Sequence, residues 1–339
     1  MGVRVGFLGA GLIAGYHAVM LGAAGLEFDW AGVYDVDRSR AEGFVSGHGG
    51  TVCGTEAEVL DSCDAVYVCT WTSEHRRLVE AACERGLAVF CEKPLATDLA
   101  GARAMAGVVE AAGAVNQVGL VLRRSPAFAL LRSIVADRET SGRAMAVVFR
   151  DDQYIPVQGM YASTWRGDPA LAGSGALLEH SIHDVDLLEH VLGPIETVAA
   201  ATSDFHDLTG IEDGAVVTLR FASGAIGTLV SVWHDVLERG SQRRVELFTE
   251  RAHVVVEGDW FGPVTTLVTG SPPTVVEGEA LVAEARGRGA EVGNPDRAFL
   301  EAVVSGSPAW PSFADAVRAH VVVDAIYRAA ATGATIAVS

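Results

Sequence analysis

The chain has 339 residues, half of them hydrophobic, which is enough for two domains with a sizeable core. Its formal net charge of −18 argues against nucleic-acid binding, because affinity for a phosphate backbone depends on clustered Lys and Arg. The five cysteines are odd in number and show no CxxC spacing, and no apolar run approaches the ~20 residues of a membrane helix. We therefore expect a cytoplasmic protein with reduced thiols that binds neither nucleic acid nor membrane.

The first predicted elements are a strand at Val3–Leu8 and a helix that runs to about residue 24. They are joined by the G-x-G-x-x-A sequence Gly9-Ala10-Gly11-Leu12-Ile13-Ala14. Gly9 permits the tight turn, Gly11 lets the backbone approach a pyrophosphate, and the helix N-terminus offers amide donors. This pattern predicts a dinucleotide-binding turn with contacts at Gly9, Gly11, Leu12 and Ile13.

A second predicted strand, residues 30–34, ends in Asp35, about 20 residues beyond the glycine-rich turn. At this spacing an acidic side chain binds the adenosine ribose, although a plain loop carboxylate is the alternative. A carboxylate there repels a 2′-phosphate, which favours NAD. Arg38 and Arg40 follow closely and could pair with such a phosphate, so NADP stays open as a second cofactor.

Strands and helices then alternate up to residue 121, with predicted helices at 41–46, 75–85 and 100–112 and predicted strands at 64–69, 87–90 and 116–121. This alternation predicts an α/β Rossmann domain with a doubly wound parallel sheet, over residues 1–122. Thr70, Trp71 and His75 follow the carboxyl end of one strand. We expect them beside the cofactor.

Cys91-Glu92-Lys93-Pro94 follows the apolar strand 87–90, at the sheet edge where open α/β sheets bind ligands. A lone lysine in such a place is usually a solvated loop residue. Lys93 is a catalytic candidate only if other parts of the chain bring a cofactor and a proton acceptor to it.

The pattern changes after Arg123-Arg124-Ser125-Pro126, which reads as a hinge into a helix at 128–136. Strand-like runs dominate from there, at 144–150, 198–202, 215–221, 225–233, 245–249 and 253–257. Ser223-Gly224 predicts a hairpin turn, and two helices, 296–304 and 313–331, close the chain. Residues 123–339 are therefore predicted to form an α+β domain with a large, mostly antiparallel open sheet.

A polar stripe lies on one predicted helix, residues 176–192. Glu179, His183, Asp186 and His190 share a face at 3.6 residues per turn. A histidine with carboxylates one turn before and after it suits proton transfer. The alternative is a solvent-facing stripe of charge pairs. A metal site at His180, His183 and Asp184 is disfavoured, because no spaced ligand set occurs elsewhere, and no metal is expected.

The glycine-rich turn, Glu92-Lys93-Pro94 and the 179–186 segment together resemble the Gfo/Idh/MocA family of NAD(P)-dependent oxidoreductases, in order and spacing over almost the whole chain. The resemblance implies hydride transfer between NAD(P) and a secondary alcohol or ketone of a sugar, inositol or related polyol. It also implies that the open sheet forms an oligomer interface, in a homodimer or homotetramer.

The resemblance assigns roles by position. Lys93 would hold and polarise the substrate oxygen, Glu92 would lie near the nicotinamide ribose, and His183 matches the catalytic histidine. Glu179 stands where the family motif has an aspartate, and Ser181 where a glycine is commoner, so this sequence departs from the pattern there.

Further positions follow from the same resemblance. His75 matches a histidine after the fourth strand, and Arg124 matches an arginine that lines the substrate cleft. The loop before His75 lacks the family's usual proline, and we expect Trp71 to lie against the nicotinamide instead. Polar and aromatic residues that suit a polyol complete the substrate set: Arg124, Trp165, Arg166, His180 and Asp186. Two other functions remain open, an NAD-dependent glycosidase of the same fold and a dinucleotide-binding regulator without catalytic activity.

Overall fold

The computed structural model describes residues 2–339, and the chain divides into two compact units. The first comprises Met1–Leu120, Ala170–Gly173 and Asn294–Val317, and the second comprises Val121–Pro169, Ser174–Gly293 and Arg318–Ser339. The first stretch ends close to the predicted boundary at 122. Residues 294–317, which the sequence assigns to the second domain, belong to the first unit.

The first unit contains a six-stranded sheet in the order β3-β2-β1-β4-β5-β6, with every neighbouring pair parallel. Its strands are β1 Val3–Leu8, β2 Phe28–Tyr34, β3 Thr51–Val52, β4 Ala65–Val68, β5 Ala88–Cys91 and β6 Asn116–Val118. The central strands β4 and β5 are buried along their whole length, as a sheet covered on both faces requires. The predicted Rossmann architecture is confirmed.

Helices flank this sheet: α1 Leu12–Gly22, α2 Arg38–His48, α3 Glu56–Ser62, α4 His75–Cys83 and α5 Leu99–Ala112. Asp98 caps α5 through Gly101 N, and Gly113 ends it in the left-handed conformation, where glycine is favoured. The short elements β3 and α3 were not predicted, since neither is long enough to show a hydrophobic period.

A late helix, α12 Pro295–Ser305, completes the first unit. Asn294 caps it by accepting hydrogen bonds from Asp296 N and Arg297 N. Phe299 packs edge-on against Tyr67 and Phe90, with ring centroids 5.5 and 5.6 Å away. These aromatic contacts explain why a segment far along the sequence belongs to the first core.

The second unit contains a nine-stranded sheet in the order β14-β13-β12-β11-β7-β10-β9-β8-β15. Its strands are β7 Ala144–Tyr154, β8 Ile195–Ser203, β9 Gly214–Phe221, β10 Ile226–His234, β11 Gln242–Thr249, β12 Ala252–Glu257, β13 Val264–Val268, β14 Thr274–Val276 and β15 Ile336–Ala337. Only β7 and β10 pair in parallel. The mostly antiparallel sheet is thus confirmed, although β13, β14 and β15 were not predicted.

The remaining helices are α6 Pro126–Ala136, α7 Arg138–Ser141, α8 Pro169–Ala172, α9 Ala176–Glu179, α10 Ile182–Leu192, α11 Glu279–Gly287 and α13 Phe313–Thr332. In the second unit, buried residues of α6, α10, α11 and α13 form one core with one face of the sheet. The other sheet face carries exposed apolar side chains. No helix within residues 2–339 is long and apolar enough to cross a membrane.

The prediction of one helix over 176–192 is wrong. The structure has two helices, α9 and α10, separated at His180 (φ −120°, ψ −60°) and Ser181. Ser181 N–H donates to Ala176 O, five residues back, which interrupts the regular i→i−4 pattern. The His180 ring and the Ser181 hydroxyl both contact Asp151 on β7, so tertiary contacts break the helix here. The proposed common stripe is therefore split, with Glu179 on α9 and His183 on α10.

Candidate active site

The glycine-rich turn has the geometry that a dinucleotide phosphate needs. Gly9 has φ +86°, and a Cβ there would overlap the Cys69 carbonyl, so the turn requires glycine. A Cβ on Gly11 would meet nothing within 4 Å, and no side chain caps the start of α1. Leu12 and Ile13 in the first turn are exposed. The start of α1 therefore leaves room for a close approach to its backbone, as expected where a pyrophosphate binds.

Asp35 lies at the end of β2, half-buried beside this turn. Its Oδ2 accepts from Ala10 N at 2.8 Å and its Oδ1 from Asp37 N at 2.8 Å. These bonds hold the carboxylate at the place predicted for the adenosine ribose, with further lone pairs to accept from hydroxyls. Arg38 is exposed and its Nε bonds Glu42 Oε1 at 2.9 Å. Such a surface pair is weak, so the structure leaves the predicted role of Arg38 untested.

His75 joins two loops at the carboxyl edge of the sheet. Its ring is buried, with Nδ1 3.1 Å from Pro94 O and Nε2 3.3 Å from Thr70 O. The ring therefore connects the Thr70 loop to the segment that follows Lys93. Trp71 lies in the same loop and is 37% exposed. Cofactor contacts of Thr70, Trp71 and His75 remain predictions.

Lys93 is half-buried just beyond β5, and the Lys93–Pro94 peptide is cis. Glu92 precedes it, is almost fully buried, and accepts from Lys93 N at 3.2 Å through Oε2. Lys93 is the only lysine among the 25 lysine and arginine residues of the chain, and the other 24 are arginines. Arginine and lysine differ in shape and in acidity, so one lysine among 24 arginines indicates a task that arginine does not perform. The amino-acid composition alone carries this signal.

In the second unit, Glu179 is buried at the end of α9. Its Oε2 lies 3.1 Å from Arg166 Nε, and the Arg166 guanidinium stacks on Trp165 at 4.5 Å from the ring centroid. The carboxylate, cation and ring thus form one cluster. The structure thus places Trp165 and Arg166, two predicted substrate residues, beside Glu179. Their spacing in the sequence did not predict this proximity.

Asp186, one turn after His183 on α10, is buried and pairs with Arg123. The Arg123 Nε and Nη2 atoms donate to its two oxygens at 2.8 and 2.6 Å, a bidentate pair. Asp186 therefore anchors α10 to the segment that precedes α6. His183 and Arg124 are each half-buried. The alternative of a wholly solvent-facing stripe is wrong, since Glu179 and Asp186 are buried.

A buried cluster of charged side chains connects the segment around His180 to the strands β7 and β11. Arg243, on β11, donates to Asp184 Oδ1 at 2.6 Å, Asp151 Oδ2 at 3.0 Å and Asp259 Oδ2 at 2.8 Å. The His180 Nε2 atom lies 3.0 Å from Asp151 Oδ2. Burial and the neighbouring Asp151 raise the pKa of Asp184 to about 8, against the pull of Arg243. Asp184 therefore keeps its proton at a higher pH than an ordinary carboxyl group.

Ser181, where the family motif more often has glycine, is part of this cluster. Its hydroxyl lies 2.6 Å from Ser231 Oγ and 3.3 Å from Asp151 Oδ2. Sequence reasoning also missed Glu212, whose carboxylate accepts from Gly175 N and Leu177 N at 2.8 Å and caps α9. No sequence pattern marks Asp151, Glu212 or Arg243, because their partners lie between 16 and 115 residues away.

A Rossmann sheet with an open glycine-rich turn, an acid after β2 and a lone lysine after β5 defines a dinucleotide-dependent oxidoreductase. The first unit matches the family described as "Oxidoreductase family, NAD-binding Rossmann fold" over residues 3–120, and residues 128–255 match the "GFO/IDH/MocA C-terminal domain". The chain belongs to the Gfo/Idh/MocA family of oxidoreductases, and its Rossmann domain binds NAD.

Named proteins are similar to this chain. A 1,5-anhydro-D-fructose reductase of Ensifer adhaerens is 35% identical over 229 residues, covering 66% of this chain and 67% of that protein. An inositol 2-dehydrogenase of Rhizobium meliloti (strain 1021) is 28% identical over 343 residues, covering 98% of each. The crystal structure of GenD2 from gentamicin A biosynthesis in complex with NAD superposes with a TM-score of 0.83 at 27% identity, covering 100% of this chain and 97% of that one.

Proposed function

We propose that this oxidoreductase transfers a hydride between NAD and a secondary alcohol or ketone of a cyclic polyol or sugar. The observation that carries the proposal is the end-to-end similarity to an inositol 2-dehydrogenase. The family resemblance assigns the chemistry to Lys93 and His183, which supports the proposal. A reductase of an anhydrosugar among the relatives supports the same substrate class. Polyhydroxylated rings suit a site that offers Glu179, Arg166 and Trp165 side by side.

Each residue has a distinct task in this proposal. Bound NAD supplies the hydride acceptor in the oxidative direction. Lys93, as an ammonium, donates a hydrogen bond to the substrate oxygen and stabilises negative charge that develops on it. His183 accepts the hydroxyl proton. Glu179, neutralised by Arg166, accepts a hydrogen bond from a neighbouring substrate hydroxyl.

The preference for NAD over NADP rests on Asp35. Its carboxylate is fixed by two backbone amides where a 2′-phosphate would be repelled. We expect kcat/KM to be at least about tenfold higher with NAD, since like-charge contacts of this kind cost more than 1.4 kcal/mol. Asp35→Asn should lower the ratio of kcat/KM with NAD to kcat/KM with NADP, because it removes the negative charge and keeps the size of the side chain.

The experiment that tests the function is a panel of inositols, sugars, anhydrosugars and acyclic polyols, assayed for NADH at 340 nm with NAD and separately with NADP. Oxidation of a cyclic polyol supports the proposal. Release of sugar from a glycoside without net NADH would replace it with the glycosidase, and cofactor binding without turnover of any glycoside or polyol would favour the regulator.

We also propose that the protein works in the cytoplasm as a homodimer or homotetramer. Cys53, Cys63, Cys69, Cys83 and Cys91 are all free thiols, which suits a reducing compartment. The sheet face of the second unit that is not covered by helices exposes Val148, Val216, Ile226 and Phe248 by 40% or more. A second copy packed on the same face would bury these side chains.

A further inference from the structure

One imidazole in the first unit joins three separate parts of the chain. His17, on α1, has no exposed surface. Its Nε2 lies 2.9 Å from Glu92 Oε1, beyond β5, and its Nδ1 lies 2.7 Å from Asp296 Oδ1, in the first turn of α12. The His17 ring also packs against Phe90 at a centroid distance of 4.7 Å. Nothing in the reaction described above uses His17 or Asp296.

The geometry requires a charged ring. A neutral imidazole carries one N–H, whereas here a carboxylate oxygen faces each nitrogen, and only imidazolium donates to both. Burial by itself lowers the pKa of His17, but the Asp296 and Glu92 carboxylates outweigh it and raise the pKa to about 10. The Asp296 carboxylate is further stabilised by its place in the first turn of α12, at the positive end of the helix dipole.

The Glu92 carboxylate connects the His17 ring to the backbone of Lys93. One carboxylate oxygen of Glu92 accepts from His17, and the other accepts from Lys93 N at 3.2 Å. Gly119, beyond β6, leaves room for this arrangement, since a Cβ there would overlap the Glu92 carboxylate. With His17, Lys93 N and Gly119 on three sides, the carboxylate has one position.

The same helix carries the phosphate-binding amides. α1 begins at Leu12, directly after Gly9 and Gly11, and His17 lies about one and a half turns further along. A helix is rigid over this length, so a displacement of its N-terminus also moves the His17 ring. We propose that His17 is a positioning residue, which fixes the Lys93 backbone relative to the dinucleotide-binding turn through Glu92. The proposal rests on the catalytic role of Lys93 proposed above.

The test exploits the single lysine. Protein grown with ¹⁵N-lysine gives one backbone amide cross-peak, that of Lys93, in the intact chain, with no need for substrate. His17→Ala and Gly119→Ala should each shift this peak and speed its hydrogen exchange by about tenfold or more, because both displace the Glu92 acceptor. His48→Ala and Gly107→Ala are matched controls, since His48 ends α2 and a Cβ on Gly107 meets nothing within 4 Å.

Activity separates positioning from general stability. We expect kcat to fall about 10–100-fold in His17→Ala and Gly119→Ala, as for a misplaced catalytic group, while the Kd for NADH stays within about twofold. Added imidazole should restore both the cross-peak and part of kcat in His17→Ala, and should do nothing in Gly119→Ala.

Two outcomes overturn the inference: an unchanged Lys93 amide in the variants, or a parallel loss of NADH binding and kcat that imidazole does not repair. If His17→Ala does not fold, Gly119→Ala decides, because it keeps His17, Glu92 and Asp296 in the chain and displaces only the Glu92 carboxylate. If no polyol is oxidised by the unaltered chain, the proposed function fails, while the amide signal still decides whether His17 and Glu92 hold Lys93.

Discussion

The chemistry assigned to Lys93 and His183 leads to the first prediction. Lys93→Met and His183→Ala should each lower kcat by about 10²–10⁴-fold, the usual contribution of a positioned proton donor or acceptor. NADH binding, followed by fluorescence titration, should change little. His48→Ala serves as the control for a histidine outside the site. Full turnover by both altered enzymes would remove these residues from the mechanism.

Protonation of His17 gives a pH-dependent stability. The pKa of His17 is raised from 6.5 to about 10 in the folded chain, so its contribution is complete below about pH 6.5 and is lost as pH rises toward 10. The stability advantage over His17→Asn should shrink across this window, by up to about 1.4 kcal/mol per pH unit. The ionisable groups around the His17 ring are Tyr16, Tyr67, Asp296 and Glu92. His75 and Lys93 act on Glu92.

Urea unfolding of both proteins at several pH values measures this difference. Burial raises the pKa of Tyr67 well above its usual value and that of Tyr16 to about 12, so these tyrosines affect both proteins alike. A difference that stays constant from pH 6.5 to 10 would show that His17 is not charged in the folded state.

Asp184 changes stability with pH in the same direction as His17, but in a lower pH window. Its pKa is raised from 3.8 to about 8 by burial and by Asp151, so ionisation in the unfolded chain withdraws stability as pH rises from about 4 to 8. Asp184→Asn keeps an acceptor oxygen for Arg243 and removes the group that titrates. The variant should therefore gain on the unaltered protein as pH rises through this window, and calorimetric Tm values between pH 5 and 9 check the trend.

At the scale of elements, α9 depends on one cap. Glu212 accepts from Ser174 Oγ, Gly175 N, Leu177 N and Tyr327 Oη, all within 2.9 Å. Glu212→Gln turns one acceptor oxygen into a donor. A hydroxyl can turn to accept from it, but one backbone N–H loses its acceptor, which should cost about 1–3 kcal/mol of unfolding free energy.

Hydrogen exchange by mass spectrometry should then show faster exchange in residues 174–183. Glu196→Gln, an exposed carboxylate on β8, is the matched control and should change neither quantity. Equal stability of the Glu212 and Glu196 variants would mean that α9 is held by other contacts.

At the scale of the whole molecule, the proposed oligomer depends on the uncovered sheet face. The cross-strand row Leu267–His253–Phe248–Ala146–Ile226 runs over five strands, with Val148 beside it. Ile226→Glu places a charge in this row and should convert the oligomer to monomer in light scattering after size exclusion. Val236→Glu, an equally exposed valine beyond β10, is the control. A monomer already in the unaltered protein would contradict the proposed interface.

Sequence alone determined the features that depend on local spacing. The glycine-rich turn, the alternation of strands and helices, the lysine after β5 and the antiparallel second sheet all follow from residues close together in the chain. Short elements such as β3 and β14 escaped, because two or three residues carry no period.

Tertiary structure decided the rest, for one physical reason: a buried charge has to find its partner in space. Contacts with Asp151 and Arg243 interrupt the predicted helix at His180, and Arg123 pairs with Asp186. Asp296 binds His17, although 279 residues separate them. Desolvation makes each of these carboxylates costly unless it is paired, so the pairing shapes the site, and no local pattern reveals it.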